Sequence, residues 1–443
     1  ARADGHDFAQ HAVAAGASAL IVERELPLAV DQVLVADARL AMALTAVQLE
    51  GDPSTQMRVV GITGTNGKTT SAFLMRAVLE ASGARCGLIG TIEARVGGEV
   101  VPVSHTTPES VDLQHLLARM RVAGDTACAM EVSSHALEQR RVAGLTFAAA
   151  MFTNLTRDHM DYHETEEDYF AAKRKLFERP PAEGPSPPGA VNIDDPFGRR
   201  LAQRSGVLTY AVSDLSADVR PTDLRMSRGG FRAVMQTPRG RFPIRSRMRG
   251  LFNVANVTGV VAVAELLGLP HETTAAGISG INGVPGRFEP VDAGQPFEVL
   301  VDYAHTPDSL QNVLVEGRKL VPDGSRLIVV VGCGGDRDRG KRPQMGEIAR
   351  RLADLVVITS DNPRTEDPDA IIGEIVAGAT VGHSDLIVEP DRRDAITMAI
   401  ERAGDGDVVI IAGKGHERGQ ERNGVITPFD DREVAREVLG EVL

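Results

Sequence analysis

The sequence predicts an α/β protein in which parallel sheets carry helices on their faces. Short apolar runs alternate with segments whose apolar residues recur at helical spacing, and this alternation restarts at Arg287. A glycine loop, Gly64 to Thr70, directly follows an apolar run and opens a helical pattern. For 443 residues about three domains are expected, and we place them at residues 1–55, 56–285 and 286–443.

The composition is that of an ordinary globular protein, with 42% hydrophobic and 25% charged residues. A formal net charge of −13 argues against nucleic acids and anionic membranes as the main partners. Three widely separated cysteines are typical of reduced thiols, so we expect a cytoplasmic protein without a cysteine zinc site. No apolar run suits a membrane span and no signal peptide is recognisable, so no membrane insertion is expected. We expect a monomer.

Residues 1–55 predict the remainder of a small α/β domain. The predicted elements are a helix carrying Phe8, Val13 and Ala17, short strands at 19–22 and 33–35, and a helix at about 38–50. Gly51 to Ser54 predicts a linker. Because this segment is too short to bury a sizeable core and the chain begins at Ala1 rather than at a methionine, we expect that an N-terminal piece precedes it.

The glycine loop, Gly64 to Thr70, predicts a site for nucleotide phosphates. Its backbone N–H groups and the positive end of the following helix converge on one point. There Lys68 adds a full charge, and Thr69 or Thr70 adds an oxygen ligand for Mg²⁺. Ile62 stands where the general P-loop pattern has a glycine, so the generic match is imperfect. A glycine-rich turn with a solvated lysine is the alternative.

Polar loops follow several predicted strands of the central domain. These strands are placed at 58–62, 87–92, 127–131, 148–153, 190–193 and 207–212. Ligands of parallel sheets gather beyond the carboxyl ends of the strands. Glu131 ends an apolar strand, where it could complete a Mg²⁺ site. Residues 105–108 and 154–163 are also polar, with a helix start and a plain surface loop as the respective alternatives.

A lysine lies on the apolar face of the helix that begins after Thr165. Residues 165–168 have the form of a capping box, which predicts the helix start. Lys173 falls within the apolar arc that Tyr169, Phe170, Leu176 and Phe177 define. An unpaired buried ammonium is costly, so Lys173 should be neutral, paired or modified; snorkelling along the helix is the alternative.

Residues 213–250 predict a β-rich excursion, and a helix to Leu267 follows it. Asn253 and Asn256 share a face near the start of that helix, where either could also be a cap.

The second α/β pattern carries polar groups after most of its strands. Its strands are predicted near 298–302, 326–332, 355–359, 385–388 and 407–412. The polar loops are 302–305, 332–342, 361–364 and 413–417. Residues 332–342 could form a second phosphate loop, but their many charges favour a substrate site, since arginine forks suit carboxylates.

Six ordered motifs resemble those of the Mur ligases. They are GTNGKTT at 64–70, EVSSH at 131–135, NLTRDH at 154–159, DYAHTP at 302–307, DNPR at 361–364 and GKGHE at 413–417. The resemblance covers essentially the whole chain. It implies a partial N-terminal α/β domain for a UDP moiety, a central P-loop parallel-sheet ATPase domain and a Rossmann-like C-terminal domain for an amino acid.

Within that family the motifs are most similar to those of members that add meso-diaminopimelate to UDP-N-acetylmuramoyl-L-Ala-D-Glu. The resemblance implies that ATP phosphorylates the D-Glu carboxylate, and that the amine of diaminopimelate attacks the acyl phosphate. It therefore implies ATP and Mg²⁺ as cofactors.

The resemblance also implies roles for individual residues. The catalytic residues would be Lys68, Glu131, His159 and Lys173, the last carbamylated to N6-carboxylysine. The metal would be held by Thr69, Glu131, His159 and Lys173. ATP would be bound by Gly64, Thr65, Asn66, Gly67, Lys68, Thr69, Thr70, Asn154, Asn253, Asn256, Arg287 and Asp302.

Two further groups would bind the substrates. The UDP-muramoyl dipeptide would contact Ala1, Arg2, Ala3, His105, Thr106, Thr107, Ser133, Gln139 and Arg141. Diaminopimelate would contact Arg337, Asp361, Asn362, Pro363, Arg364, Gly413 and Glu417. Only residues 1–3 remain of the uridine-binding loop that precedes Asp4 and Gly5, so we expect an incomplete UDP site.

Several related activities are alternatives. A ligase for L-lysine is disfavoured because lysine lacks the distal carboxylate that Arg364 would bind. The DNPR motif and the two-arginine arrangement also disfavour a D-Ala-D-Ala-adding Mur ligase and a folylpolyglutamate synthase. A P-loop switch or assembly ATPase is the rival from another class, but such a protein needs no amino-acid pocket.

Overall fold

The computed structural model describes residues 4–102, 105–160, 162–380, 382 and 384–442. The N-terminal segment contains α1 (Ala9–Ala14), β1 (Ala19–Val22), β2 (Asp31–Leu34) and α2 (Ala38–Leu49). The two strands pair in parallel, and the predicted order of elements is confirmed. The first helix ends before Ala17, however, because Gly16 adopts a φ of +100°. A short 3₁₀ helix, Pro53–Thr55, occupies the predicted linker.

An eight-stranded sheet forms the centre of the molecule. Its strands are β3 (Arg58–Thr63), β4 (Cys86–Ile89), β5 (Ala94–Val96), β6 (Glu99–Val101), β7 (Ala127–Glu131), β8 (Ala149–Phe152), β9 (Gly189–Asn192) and β10 (Val207–Tyr210). Its helices are α3 (Lys68–Ala81), α4 (Ser110–Val122), α5 (Ser134–Glu138), α6 (Glu166–Arg174) and α7 (Pro196–Leu201). The strand order is β10-β9-β8-β3-β7-β4-β5-β6.

The strands from β10 to β4 are parallel and confirm the six predicted strands. The antiparallel hairpin of β5 and β6 at the sheet edge was not predicted, since three-residue strands are too short to show a periodicity. Val59 and Val60, adjacent on β3, belong to separate buried clusters on the two faces of the sheet.

The predicted β-rich excursion is an antiparallel sheet of three strands. The strands are β11 (Arg220–Ser227), β12 (Gly230–Thr237) and β13 (Gly240–Ser246), and α8 (Leu251–Leu266) and α9 (His271–Gly280) follow. Their apolar side chains join the buried cluster on one face of the central sheet.

The C-terminal sheet has six strands, of which five are parallel. The elements are β14 (Glu289–Pro290), β15 (Glu298–Asp302), α10 (Pro307–Arg318), β16 (Leu327–Val331), α11 (Lys341–Leu352), β17 (Leu355–Ile358), α12 (Pro368–Gly378), β18 (Asp385–Val388), α13 (Arg392–Glu401), β19 (Val408–Ala412), β20 (Gly419–Arg422), β21 (Val425–Pro428) and α14 (Asp431–Val442). The order β14-β15-β19-β16-β17-β18, with buried clusters on both faces, is the predicted Rossmann-like arrangement. The antiparallel strand β14 and the hairpin of β20 and β21 were not predicted.

Polar contacts join the two large sheets. The Leu251 N–H donates to Glu316 Oε2 at 2.7 Å, and Asn66 Nδ2 donates to Asp308 Oδ2 at 3.0 Å. The domain limits given above stay predictions. In the described part of the chain, no helix has the length and apolar character needed to cross a membrane.

Candidate active site between the two sheets

The glycine loop is held in shape by its own lysine and by α8. Gly67 caps α3 with a φ of +85°, and a Cβ on it would lie 2.3 Å from Asn256 Oδ1, so only glycine fits. Lys68 Nζ donates to the carbonyl oxygens of Gly64 at 2.9 Å and Thr65 at 2.8 Å. Burial lowers the pKa of Lys68. The loop therefore joins a buried lysine to the start of a helix, which is an arrangement suited to phosphates.

The loop after β8 fixes the glycine loop from the side. Asn154 Oδ1 accepts from the Asn66 N–H at 2.9 Å, and Asn154 Nδ2 donates to the Asn66 carbonyl at 3.2 Å. Thr153 Oγ1 donates to the same carbonyl at 2.6 Å. Asn154, which is predicted to bind ATP, thus positions the glycine loop, the predicted phosphate loop.

Glu131 ends β7 with only 1% of its surface exposed. The N–H and the hydroxyl of Thr91 donate to its two carboxylate oxygens at 2.8 and 3.1 Å. Thr91 Oγ1 lies 3.0 Å from Thr106 Oγ1. Thr91 therefore orients the Glu131 carboxylate, the predicted metal ligand. It also links Glu131 to Thr106, which is predicted to bind the UDP-muramoyl dipeptide, called the nucleotide dipeptide below.

Lys173 lies on the buried face of α6, as predicted, and is 1% exposed. Its Nζ donates to the Gly64 carbonyl at 2.8 Å and lies 4.3 Å from the centre of the Tyr169 ring. Burial, and next the nearby Lys68 ammonium, hold the pKa of Lys173 well below its usual range. The helix ends at Arg174, so two residues of the predicted arc, Leu176 and Phe177, are buried beyond its end.

His159 occupies a left-handed backbone conformation, with a φ of +56°. Burial lowers its pKa to about 4, although the Asp158 carboxylate opposes this shift. The centre of its ring lies 4.9 Å from that of His135. At neutral pH the imidazole is therefore uncharged, which is the form that binds metals.

The C-terminal sheet contributes Arg287 and Asp302. Arg287 Nη2 donates to Thr69 Oγ1 at 3.2 Å, and the guanidinium lies 4.6 Å from the centre of the Tyr303 ring. The Asp302 carboxylate accepts the N–H groups of Phe288 at 2.6 Å and Ala304 at 2.8 Å. Burial raises the pKa of Asp302 to about 6.

These groups border one cleft of about 330 Å³. The predicted site residues that line it are Thr65, Asn66, Gly67, Lys68, Thr69, Thr70, Thr106, Glu131, Ser133, Asn154, His159, Lys173, Asn256, Arg287 and Asp302. Asn253 contacts this lining from α8, because its Oδ1 accepts from Asn256 Nδ2 at 3.0 Å. The cleft thus brings the predicted ATP and metal residues of both sheets together.

The residues predicted to bind the nucleotide dipeptide form one network beside Glu131. Thr107 Oγ1 donates to the Glu131 carbonyl at 2.8 Å and accepts from the Ser133 N–H at 3.1 Å. Arg141 donates to the Thr107 carbonyl at 2.9 Å and to Gln139 Oε1 at 2.7 Å. Of the remaining predicted residues, His105 is exposed next to Thr106, whereas Ala1, Arg2 and Ala3 lie outside the described residues.

Two loops of the C-terminal sheet meet at Asp361, Asn362, Gly413 and Glu417. Asn362 Nδ2 donates to Glu417 Oε2 at 2.8 Å, which joins the loops after β17 and β19. Gly413 has a φ of +117°, and a Cβ there would lie 2.6 Å from Asp361 Oδ2. Pro363 is buried beside them. The structure therefore brings these predicted residues together.

Arg364 is held beside these acids in a left-handed conformation, with a φ of +50°. Its Nη1 donates to the Gly335 carbonyl at 2.7 Å, and its Nε lies 3.2 Å from Glu421 Oε2 on β20. Arg337, the other predicted arginine, is exposed in the loop after β16. Cationic and anionic groups thus lie side by side in this part of the molecule.

Two protein-family models match most of the chain. The family model described as Mur ligase middle domain matches residues 62–264, and the one described as Mur ligase, glutamate ligase domain matches residues 286–415. The UDP-N-acetylmuramoyl-L-alanyl-D-glutamate–2,6-diaminopimelate ligase of Solibacter usitatus is 48% identical over 444 residues, which cover 99% of this chain and 89% of that protein. The chain belongs to the Mur ligase family.

Two further proteins with the same name are similar to this Mur ligase. The relative from Geobacillus kaustophilus is 44% identical over 448 residues, covering 99% of this chain and 90% of that protein. A solved structure of such a ligase is 35% identical, with a TM-score of 0.70, and covers 98% of this chain and 89% of that chain.

Four residues that shape the site in this Mur ligase are not predicted from the sequence: Thr91, Tyr303, Lys414 and Glu421. The apolar pattern predicts a strand at 87–92 that includes Thr91, whereas β4 ends at Ile89 and Thr91 follows in the loop. Tyr303 lies within the DYAHTP motif and Lys414 within the GKGHE motif, but the resemblance to the family implies no role for either residue. Glu421 lies on a hairpin that the turn residues Asn423 and Gly424, both with positive φ, would have indicated.

Proposed function

We propose that this Mur ligase joins meso-diaminopimelate to the D-Glu carboxylate of UDP-N-acetylmuramoyl-L-Ala-D-Glu at the expense of ATP. One observation carries this proposal. The phosphate loop follows a strand of the central sheet, and the predicted amino-acid site around Arg364 follows strands of the C-terminal sheet. The names of the similar proteins support the same reaction.

The side chains of the cleft fit ATP. The buried Nε of Arg287 has no hydrogen-bond partner within the described ranges, and Arg287 lines the cleft next to the glycine loop. Lys68 Nζ donates to two carbonyl oxygens of its own loop, and an ammonium has three donors, so one donor remains for a phosphate oxygen. Asp302 offers a carboxylate for a ribose hydroxyl. These three groups would hold the nucleotide across the two sheets.

The residues of the cleft also fit Mg²⁺. No group of three or more His, Cys, Asp and Glu side chains suited to a metal occurs in the described parts of the chain. Glu131 with Thr69, and His159 with a carbamylated Lys173, would each supply two ligands. Mg²⁺ keeps several waters and shares phosphate oxygens, so few protein ligands suit it. When bound, Mg²⁺ would offset the negative charge of the phosphates.

In the first step a D-Glu carboxylate oxygen attacks the γ-phosphorus of ATP, the bond to ADP breaks, and an acyl phosphate forms. Two anions must meet, and the Lys68 ammonium with the N–H groups at the start of α3 offsets their repulsion. In the second step the free amine attacks the acyl carbon. Phosphate leaves with the bonding electrons, and the amide nitrogen that forms gives its extra proton to the departing phosphate.

The C-terminal loops would select the amine. Arg364 would bind the distal carboxylate of diaminopimelate, while Asp361 and Glu417 would meet its ammonium group. L-Lysine is the alternative substrate, and it would leave the guanidinium without that carboxylate. We also propose a cytoplasmic monomer.

The test is ADP release from purified protein with the nucleotide dipeptide, ATP and either meso-diaminopimelate or L-lysine. We expect release only when diaminopimelate and the nucleotide dipeptide are both present. Equal turnover with L-lysine would contradict the assigned specificity. ATP hydrolysis without the nucleotide dipeptide would favour a switch ATPase instead.

A further inference from the structure

We propose that Lys414 is a positioning residue for the incoming amino acid, an inference that rests on the proposed function. Lys414 follows β19 and has no exposed surface. Because it is fully buried, it acts on a ligand only through its neighbours. Those neighbours, Asp361, Asn362 and Glu417, are three of the residues assigned to the amino-acid site.

The contacts of Lys414 fix the orientation of an amide. Its Nζ donates to Asn362 Oδ1 at 3.0 Å, and the same oxygen accepts the Glu421 N–H at 3.0 Å. Asn362 Nδ2 donates to Glu417 Oε2 at 2.8 Å. Lys414 and the hairpin therefore determine which end of the Asn362 amide faces Glu417.

Lys414 also balances charge. Its Nζ lies 3.2 Å from Glu417 Oε2 and 3.8 Å from Asp361 Oδ1. The two carboxylates thus share this buried cation. The other buried cation that acts on them, Arg392, is already paired with Asp431, so one net negative charge remains for the ammonium group of the substrate. Without the Lys414 cation the acids would repel each other, and Asn362 would lose a donor.

The first experiment compares steady-state kinetics of the Lys414→Met variant with those of the unaltered protein. Methionine keeps the length of the side chain but removes its charge and its donors. We expect the KM for diaminopimelate to rise roughly 10- to 100-fold, while the KM for ATP changes less than about twofold. A KM for diaminopimelate that stays unchanged would overturn the proposal.

Lys319→Met is the matched control. Lys319 pairs with Glu316 at 2.5 Å and with the same three-residue spacing that separates Lys414 from Glu417. Its side chain is 49% exposed directly after the end of α10. We expect this variant to keep the KM values of the unaltered protein.

A partial reaction separates positioning from misfolding. Exchange of labelled ADP into ATP requires the nucleotide dipeptide and acyl phosphate formation but not the amino acid. We expect Lys414→Met to retain this exchange, and an equal loss of exchange and ligation would overturn the proposal. If the unaltered protein neither exchanges nor ligates, it is the proposed function that fails.

Lys414→Gln provides the second variant, because its amide restores one donor to Asn362 without the charge. We expect a KM for diaminopimelate between those of the unaltered protein and Lys414→Met. Failure of both variants to fold would assign Lys414 a purely structural role and would also overturn the proposal.

Discussion

Lys68 and Lys173 donate hydrogen bonds to the same carbonyl oxygen, that of Gly64, at 2.9 and 2.8 Å. Burial, and next the repulsion between these two ammonium groups, holds the pKa of Lys173 well below its usual range. A neutral amine can attack CO₂, forming an N–C bond and releasing a proton. The resulting carbamate is an anion, so it would relieve the repulsion next to Lys68.

We therefore expect Lys173→Ala to abolish ligation while the fold stays intact. The carbamate would appear as a new carbonyl signal in ¹³C NMR of the unaltered protein with labelled bicarbonate, and this signal would be missing in the variant. An added short carboxylic acid should restore part of the activity by replacing the lost anion.

Lys175→Ala is the control for that experiment, since Lys175 is 42% exposed and pairs with Glu138 at 2.7 Å. It should keep full activity and the carbonyl signal. Undiminished ligation by Lys173→Ala would rule out the carbamate role.

The burial of Lys173 was predictable because a lysine interrupting an apolar arc is visible in the sequence. The parallel strands were predictable for a similar reason, since their two buried faces leave continuous apolar runs. The hydrogen-bond partners of the predicted residues could not be predicted in this way. Which oxygen Lys173 contacts depends on Gly64, a loop residue whose position is fixed only by tertiary packing.

The edge elements were missed for another physical reason. Strands β5, β6, β20 and β21 are three or four residues long, which is too short to show a periodicity, and β21 is fully exposed, so it has no buried face. The hairpin of β20 and β21 supplies Glu421 to Arg364. The hydrophobic pattern of the sequence therefore could not predict the contact of Glu421 with Arg364.

Arg364→Met should weaken the binding of diaminopimelate much more than that of ATP. Removal of the guanidinium leaves the distal carboxylate of the substrate without its partner, so we expect the KM for diaminopimelate to rise roughly 10²- to 10³-fold. The ratio of kcat/KM for diaminopimelate to that for L-lysine should fall by a similar factor. Competition kinetics with both amino acids would measure this. The control is Arg418→Met, whose side chain is 82% exposed; a similar loss there would remove the case for Arg364.

Asp308 should couple the C-terminal sheet to the phosphate loop. Its Oδ2 accepts from Asn66 Nδ2 at 3.0 Å, Thr156 Oγ1 at 2.9 Å and Asn312 Nδ2 at 3.2 Å. Asp308→Ala should raise the KM for ATP by about tenfold, because two contacts between the sheets are lost. Gln311→Ala, which removes an exposed side chain of α10 that accepts from Arg351 Nη2 at 3.0 Å, should have little effect. Equal effects of the two variants on the KM would contradict the coupling.

The pKa of Asp302, which burial raises to about 6, predicts a pH dependence of ATP binding. The carboxyl is ionised above that pH and protonated below it, and only the ionised form is a full acceptor for a ribose hydroxyl. The KM for ATP should therefore be nearly constant above about pH 7 and rise below about pH 6.

His159 and His416 do not titrate in that range, because burial lowers their pKa values to about 4 and about 3. Asp302→Asn cannot ionise, so its KM for ATP should be higher and should lack this transition. Ionisation of ATP itself would appear in both proteins. Identical pH profiles would therefore show that Asp302 is not the titrating group.

Arg392 and Asp431 form an ion pair without exposed surface between α13 and α14, at 2.7 Å. Arg392 also donates to the carbonyls of Ser360 at 3.3 Å and Ala412 at 3.0 Å, where the loops of the amino-acid site begin. Asp431→Ala leaves a buried guanidinium unpaired, so we expect a loss of about 3–5 kcal/mol in the free energy of unfolding.

The neighbouring pair of Arg393 and Glu437 joins the same two helices at 2.8 Å, but its side chains are 50% and 56% exposed. Water screens such a pair, so Glu437→Ala should cost at most about 1 kcal/mol. Calorimetric unfolding of both variants provides the comparison. Since the pairs differ mainly in burial, equal shifts would mean that desolvation does not determine the contribution of Arg392. A large shift for Asp431→Ala alone would show that the buried pair stabilises the base of both loops.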